Sequence, residues 1–255
     1  MKYNLFFSPN SSVRILQPAF FCPTMSHTEF YFAKIAAAFV RGTGSGPILI
    51  PDQPEELWTA PLDVLLDSEL EAIVQCGLDQ GLRLHRFKRT MGLARIQRVL
   101  GLLKGMSPAT LLDIGSGRGA FLWPLIEEFP EMPVTAIDCD PKRVADIQAV
   151  ATGGFSQLAA HEMDVTSLEF PDNTFDVVTA LEVLEHIPAF DQAIHECCRV
   201  AQRFVIVSVP SHEDDNPEHI HLFDQTRLTE ALRAAGAHRV SCEYVLNHLI
   251  VVAGV

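Results

Sequence analysis

The chain has 255 residues, of which 48% are hydrophobic, and its formal net charge at pH 7 is −13. This composition permits one large domain with a full core, or one domain with an appendage. The negative charge argues against indiscriminate binding to nucleic acid or to an anionic membrane, because phosphates would be repelled, and no segment has the ~18 apolar residues of a membrane span.

Three regions follow one another along the chain. Residues 1–55 are rich in proline and are predicted to be an irregular extension. Residues 56–107 are predicted to form a helical cap, with a second helix over 82–103 after a first one marked by leucines at helical spacing. Residues 108–255 alternate strand and helix patterns, which predicts a mostly parallel sheet with helices on both faces.

The elements of this last region can be placed from its apolar runs and turns. Strands are predicted near 110–114, 133–138, 158–163, 175–181 and 203–209, and helices near 119–129, 141–151, 189–200 and 225–235. The tail from His238 predicts two more strands, joined around Asn247.

A glycine-rich loop, GSGRG, follows the first predicted strand. Gly115, Gly117 and Gly119 permit positive φ and let a ligand approach bare backbone. The helix start behind them offers unpaired N–H groups and a positive dipole, which favours a polar, partly anionic cofactor. The spacing differs from the G-x-G-x-x-G of dinucleotide-binding proteins, because the third glycine comes one residue early.

Further motifs follow in a fixed order. The second strand ends at Asp138 in VTAIDCDP, the third at Asp164 in EMDVT, and the fourth runs into FDVVTALEVLEHIP. Together with the glycine loop, this series resembles the class I S-adenosylmethionine-dependent methyltransferases, in particular the broad family with E-V-L-E-H after strand four. The resemblance implies an α/β, Rossmann-like fold whose last strand is antiparallel, and S-adenosylmethionine as the cofactor.

The resemblance also implies which residues bind the cofactor. The predicted set is Asp113, Gly115, Ser116, Gly117 and Gly119 at the methionine end, Asp138 with its neighbour Cys139 at the ribose, Asp164 and Val165 at the adenine, and Leu181 behind the methionine moiety. Read from the residues alone, Asp138 is alternatively a helix cap, although Asp140 before Pro141 fits that role better. Asp164 is alternatively a turn residue.

The catalytic residues are predicted at strand ends, which open onto the ligand crevice of such sheets. Methyl transfer to a hydroxyl or ammonium requires removal of a proton, and Glu182, His186 and His221 are the predicted groups, with Glu185 and His219 as further candidates. The alternative is that these side chains cap, orient or pack the segments around them.

A metal-dependent version of this site stays open. Glu182, Glu185 and His186, together with His219 or His221, would supply two carboxylates and two imidazoles, a set that suits Mg²⁺ or Mn²⁺. The set looks like the metal site of the RNA 3′-terminal 2′-O-methyltransferases, and its first three positions resemble ubiquinone-type O-methyltransferases. The tryptophan-containing segment of the RNA enzymes is not evident, so no metal is included in the predicted site.

The stretch from 83 to 104 reverses the acidic character of the chain. Its seven basic residues are Arg83, Arg86, Lys88, Arg89, Arg95, Arg98 and Lys104. They either steer an anionic acceptor and meet the carboxylate of the cofactor, or form a solvated face paired with the acidic surface.

The predicted function is methyl transfer to a small-molecule or anionic acceptor, by O- or N-methylation. Two alternatives are a metal-dependent RNA-end 2′-O-methyltransferase and a non-catalytic, cofactor-binding partner subunit. The cysteines form no C-x-x-C pair and no zinc spacing, and Cys139 and Cys197 fall inside the predicted fold, which favours a reducing, cytoplasmic compartment. The sequence indicates no oligomeric state.

Overall fold

The computed structural model describes residues 31–44, 55–89, 92–212 and 215–255, so the predictions for 1–30 and 45–54 lie outside the described residues. The helices are α1 (Ala33–Gly42), α2 (Glu56–Thr59), α3 (Asp67–Asp79), α4 (Ala94–Met106), α5 (Leu122–Glu128), α6 (Pro141–Thr152), α7 (Phe190–Val200) and α8 (Gln225–Ala234). The strands are β1 (Leu111–Ile114), β2 (Val134–Asp138), β3 (Leu158–Glu162), β4 (Phe175–Leu181), β5 (Ala201–Pro210), β6 (Arg239–Val245) and β7 (His248–Gly254). Single 3₁₀ turns lie at Leu62–Val64, His85–Phe87 and Leu184–His186.

The strands form one sheet in the order β3-β2-β1-β4-β5-β7-β6. The first five strands are parallel to their neighbours, while β7 runs antiparallel between β5 and β6. The predicted mostly parallel sheet with an antiparallel last strand is therefore confirmed. From β1 the chain adds β2 and β3 on one side, and it then crosses back to add β4 on the other side of β1. The strand order therefore reverses between the neighbours β1 and β4, and such a switch point opens a crevice at the carboxyl ends of the strands.

The central strands owe their position to continuous apolar runs. All four residues of β1 are buried, as are five of the seven residues of β4. Helices cover both faces of a parallel sheet, so such strands show no alternation of polar and apolar residues. One hydrophobic cluster lies on each face of the sheet.

Helix α1 corrects the prediction that residues 1–55 are irregular. Seven of its ten residues are buried, five of them in the run Ala36–Val40. An isolated helix of this length is marginal in water, so its stability comes from packing rather than from propensity. No local capping signal marks it, since its N-cap residue makes no side-chain cap hydrogen bond.

Two glycines allow α1 to cross α6 at close range. A methyl group on Gly42 would overlap the carbonyl oxygen of Ala149, and one on Gly153 would overlap that of Ala38. Each helix thus presents a bare Cα to the backbone of the other. This reciprocal contact fixes α1 onto the helix that follows β2.

The predicted helix over 82–103 is wrong in its first half. Gly81, with φ of +80°, ends α3, and α4 begins only at Ala94. Between them the buried Phe87 offers its carbonyl oxygen to the N–H of Phe32 at 2.8 Å. This non-local hydrogen bond ties the segment to the start of α1 and replaces the predicted helical turn.

The basic residues of 83–104 mostly meet carboxylates from elsewhere in the chain. The pairs are Arg86–Asp146, Arg89–Glu127, Arg98–Glu243 and Lys104–Glu128, with Arg95 at 3.8 Å from Glu182. These contacts connect the cap, defined here as α1–α4, to α5, α6 and β6. The pairing favours the second interpretation, a basic face matched to acidic groups.

Every helix of the described residues is too short or too polar to cross a bilayer.

Candidate active site

The loop between β1 and α5 holds three residues in the left-handed conformation. The φ angles of Gly115, Gly117 and Gly119 are +68°, +57° and +81°, which confirms the predicted backbone freedom. A Cβ on Gly115 would lie 2.5 Å from Val183 Cγ2, so a side chain there would have to displace Val183 in addition to adopting a left-handed backbone. A Cβ on Gly117 would meet nothing closer than 3.7 Å. The loop therefore presents bare backbone to open space at its centre.

Asp138, at the end of β2, is 3% exposed and holds this loop in place. Its Oδ2 accepts the N–H of Gly117 at 2.8 Å, and its Oδ1 accepts the N–H of Asp140 at 2.9 Å. The guanidinium of Arg143 lies 3.6 Å from Oδ2. The helix-cap role belongs to Asp140, whose side chain accepts the N–H of Lys142 at the start of α6.

Asp113 supports the loop from beneath. Its two carboxylate oxygens accept hydrogen bonds from Ser116 Oγ at 2.7 Å and from Thr179 Oγ1 at 2.9 Å. Complete burial raises the pKa of the Asp113 carboxyl to about 6, and the nearby Asp138 adds to the increase, although the two hydroxyls favour the ionised form. Both oxygens are engaged within the protein, so Asp113 shapes the loop.

A cavity of about 690 Å³ opens at the carboxyl ends of β1, β2 and β4. Of the predicted cofactor residues, its lining contains Asp113, Gly115, Ser116, Gly117, Asp138, Cys139, Asp164, Val165 and Leu181. Gly119 lies outside the lining, above the ring of Trp123, which a Cβ there would strike. Residues from four separate motifs thus meet around one space.

The wall after β3 carries Asp164 and Val165. Asp164 Oδ1 accepts both the N–H and the hydroxyl of Thr166 at 2.8 Å, as in a side-chain-capped turn. Val165 is buried. The interpretation of Asp164 as a turn residue thus explains the hydrogen bonds of its Oδ1. The side chain of Asp164 is nevertheless exposed and lines the cavity.

Glu182, directly after β4, adopts φ of +59°, which is rare for a side chain of its size. Its Oε1 accepts the hydroxyl of the buried Ser208 at 2.8 Å, and its Oε2 lies 3.1 Å from His248 Nε2. The third neighbour is Arg95, from the start of α4. Contacts from three other elements hold this carboxylate at the cavity wall.

The candidate metal ligands divide into two groups. Glu185, His186 and His219 place their ligand atoms within 4.8 Å of one another, and Glu185 is fully buried. His186 Nδ1 is 2.9 Å from the carbonyl oxygen of Glu218, and its ring packs edge-on against His219. The four-residue set of the metal-dependent alternative is not assembled, because Glu182 is engaged by other partners and His221 lies elsewhere.

The structure places His221 outside the cavity lining. Its Nε2 lies 3.1 Å from the carbonyl oxygen of Ile187, and Arg227 approaches Nδ1 at 3.5 Å. The ring packs between Phe190 and Phe223, with centroid distances of 5.0 and 5.7 Å. This environment matches the packing alternative.

Two residues of this site, Ser208 and His248, carry no motif in the sequence, whereas Arg95 belongs to the basic stretch 83–104. Arg95 lines the cavity from the cap, Ser208 lies near the end of β5, and His248 begins β7. The pairing of β5 with β7, which sets Pro210 opposite His248, brings the last two to Glu182. Ser208 and His248 can be assigned to the site only from the pairing of β5 with β7, which is known only once the fold is known.

Comparison with known proteins identifies the central part of the chain. Residues 112–206 match a family model described as "Methyltransferase domain". A malonyl-[acyl-carrier protein] O-methyltransferase from Geobacter sulfurreducens is 28% identical over 107 residues, which is 41% of this chain and 40% of that protein. A ubiquinone biosynthesis O-methyltransferase from Photorhabdus laumondii is 24% identical over 108 residues, 42% and 45% of the two chains. The chain thus spans less than half the length of these curated relatives.

Solved structures agree on the fold. A SAM-dependent methyltransferase from Aquifex aeolicus superposes with a TM-score of 0.52 at 21% identity, covering 65% of this chain and 99% of that one. A magnesium protoporphyrin IX methyltransferase from Synechocystis, solved with bound SAH, gives 0.52 at 18% identity, covering 63% and 81%. Similarity at this level of identity supports the fold alone.

Proposed function

We propose that this chain, a class I S-adenosylmethionine-dependent methyltransferase by family and by fold, transfers a methyl group from S-adenosylmethionine to the oxygen or nitrogen of a small-molecule acceptor. The observation that carries the proposal is the left-handed glycine loop, which faces open space and is bound through Gly117 to the buried Asp138. A bare backbone beside a buried carboxylate suits a ligand with both a charged end and ribose hydroxyls.

The residues present fit this cofactor. The cavity volume lies in the range of about 300–1,000 Å³ that is typical of ligand sites. Asp138 lines the cavity beyond β2 and offers its remaining lone pairs to ribose hydroxyls. Arg118, within the glycine loop, lines it as well, and its guanidinium can pair with the carboxylate of the cofactor. Val165 and Ile137 supply apolar surface for the adenine.

The chemistry asks little covalent work of the protein. When bound, S-adenosylmethionine supplies a methyl group on a positively charged sulfur, which is an activated leaving group. The cavity walls hold the acceptor in line with that group and exclude water. Glu182 and His186 line the side of the cavity beyond β4, where they would take the proton of a hydroxyl or ammonium.

The names of the relatives support the acceptor class. The two O-methyltransferases above and an ajmaline N-methyltransferase from Rauvolfia serpentina, 27% identical over 107 residues, modify oxygen or nitrogen according to their names. We extend only this shared chemistry to the present chain. A cytoplasmic setting is part of the proposal, and the described cysteines Cys76, Cys139, Cys197, Cys198 and Cys242 are all free thiols.

Calorimetry tests the cofactor assignment directly. The purified protein should bind S-adenosylmethionine and S-adenosylhomocysteine, and should bind NAD at least tenfold more weakly, a difference of about 1.4 kcal/mol. A preference for NAD would contradict the proposal. Binding without turnover across panels of hydroxyl and amine acceptors would instead favour the non-catalytic partner subunit.

The group formed by Glu185, His186 and His219 favours a metal-assisted version as the second candidate. A divalent cation there would bind the acceptor and lower the pKa of its hydroxyl. Elemental analysis of the purified protein, and titration of the chelator-treated protein with Mn²⁺, test this version. Saturable Mn²⁺ binding that is lost in His219→Ala supports it. If elemental analysis finds no metal and Mn²⁺ does not bind, the metal-free reaction is favoured.

A further inference from the structure

The carboxylate of Glu182 is oriented by side chains far from it in sequence. Ser208 donates its hydroxyl hydrogen to Oε1 at 2.8 Å, and His248 Nε2 lies 3.1 Å from Oε2. The second contact is a hydrogen bond when Nε2 carries the proton of the imidazole. One donor on each oxygen fixes the plane of the carboxylate.

Glu182 lies where the reactive end of a bound cofactor would point. The glycine loop and Asp138 follow β1 and β2, whereas Glu182 follows β4, on the other side of β1. A cofactor whose ribose meets Asp138 therefore directs its reactive end toward β4. Glu182 lines the cavity there, and three-quarters of its side chain is buried.

The backbone at Glu182 is strained for this placement. A left-handed φ is unfavourable for a residue other than glycine and persists where the surroundings impose it. Its N–H donates to the carbonyl oxygen of Ser208 at 2.8 Å, so both backbone and side chain are bound to the same residue of β5. Such strain is a recurrent property of active sites.

We propose that His248 is a positioning residue, which acts with Ser208 to turn the carboxylate of Glu182 toward the group being transferred. This inference rests on the proposed function. The acceptor's oxygen or nitrogen forms a bond to the methyl carbon as the methyl–sulfur bond breaks and its electron pair remains on sulfur. The proton of the acceptor passes to Glu182 and is released to water after the products leave.

Sinefungin probes this geometry without knowledge of the acceptor. In this analogue a carbon bearing an ammonium group replaces the sulfur bearing the methyl, so a positive charge lies where transfer occurs. S-adenosylhomocysteine lacks that group. The ratio of the two affinities, measured by calorimetry, therefore reports whether a carboxylate faces the transferred group.

The wild-type protein should bind sinefungin more tightly than S-adenosylhomocysteine. Glu182→Gln should lower the ratio about tenfold, because a charge-assisted contact is lost. His248→Ala should lower it about threefold, while His248→Gln, which keeps a donor near the position of Nε2, should restore it to within about twofold. His238→Gln is the matched control, since His238 is exposed and precedes the far end of β6.

The outcomes separate this inference from the proposed function. If neither ligand binds the wild-type protein, the cofactor assignment itself fails. If both bind, and the ratio is the same in the wild type and in His248→Ala, the role of His248 is overturned. A His248→Gln variant as weak as His248→Ala would overturn it too. Ser208→Ala, which removes the other donor, should lower the ratio in the same direction and serves if His248→Ala does not fold.

Discussion

The two ends of the cavity are built in different ways. At the end proposed to hold the cofactor, three hydrogen bonds join residues within one stretch of the chain, from Asp113 to Asp140, and two of them run from backbone N–H groups to the carboxylate of Asp138. At the end proposed to hold the acceptor, Arg95, Glu182 and His248 meet through side chains, across more than half of the sequence. The first end is therefore defined by local motifs, whereas the second depends on strand register and on the cap.

The largest expected effect concerns the contact between the cap and the sheet domain that forms both ends of the cavity. Gly42→Ala should lower the free energy of unfolding by about 3 kcal/mol, because its methyl group would overlap the carbonyl oxygen of Ala149. Chemical denaturation measures the loss. Gly101→Ala is the control, since its methyl group meets nothing within 4 Å and should stabilise α4 slightly. Equal stability of the two variants would mean that α1 does not need its close contact with α6.

The next effect isolates the cofactor end. Asp138→Ala should weaken binding of S-adenosylhomocysteine by about 1.5–3 kcal/mol, because a charge-assisted contact to the ribose is lost along with support of Gly117. Asp140→Ala removes the cap of α6 and should lower stability by about 1 kcal/mol with little change in affinity. Calorimetry and thermal unfolding on both variants distinguish ribose binding from capping. Unchanged affinity in Asp138→Ala would remove the ribose role.

A pH dependence follows from the buried carboxyl of Asp113. Its pKa of about 6 lies above the value in the unfolded chain, so the folded state holds a proton that the unfolded state has lost between about pH 4 and 6. Its contribution to stability therefore falls as pH rises through this window. Relative to Asp113→Asn, the wild type should lose about 2 kcal/mol between pH 4.5 and 7.

Urea denaturation at several pH values measures this difference for Asp113→Asn. Asp191→Asn is the control for the substitution itself, because Asp191 is exposed at the start of α7. A wild-type protein that gains stability over Asp113→Asn as the pH rises would reverse the assigned direction of the pKa.

The smallest effect concerns the ion pairs of the cap. Glu127→Gln should cost about 0.5 kcal/mol, because its partner Arg89 is 40% exposed and water screens the pair. The loss should shrink in 1 M salt. Thermal unfolding at two salt concentrations measures this loss of stability. A loss that does not depend on salt would mean that packing, and not the charge of Glu127, stabilises the contact. A small value would agree with a basic face that pairs with the protein's own carboxylates.

The sheet was predictable because its information is local. Apolar runs such as LLDI, ended by aspartate and glycine, located each strand to within two residues of its start and end. The positive φ angles of the glycine loop followed from residue type and spacing. Helix α1 was not predictable in this way, since a contact between Gly42 and a residue more than 100 positions later stabilises it.

The acceptor end shows the same limit. Glu182 and His186 followed from their place after a strand, and both line the cavity. His221 came from the same kind of argument, but three apolar or cationic neighbours enclose it away from the cavity. His248 had no local pattern at all, because only the antiparallel pairing of β7 brings it to the site.

The left-handed backbone of Glu182 sets up a conflict between robustness and activity. Glycine adopts that conformation without steric cost, so Glu182→Gly would relieve backbone strain while deleting the carboxylate. A selection for turnover would reject such a change, whereas a selection for heat resistance would accept it only if the relief of strain exceeds the loss of the contacts to Ser208, His248 and Arg95. Comparing the variants that survive the two selections would therefore separate what position 182 contributes to stability from what it contributes to turnover.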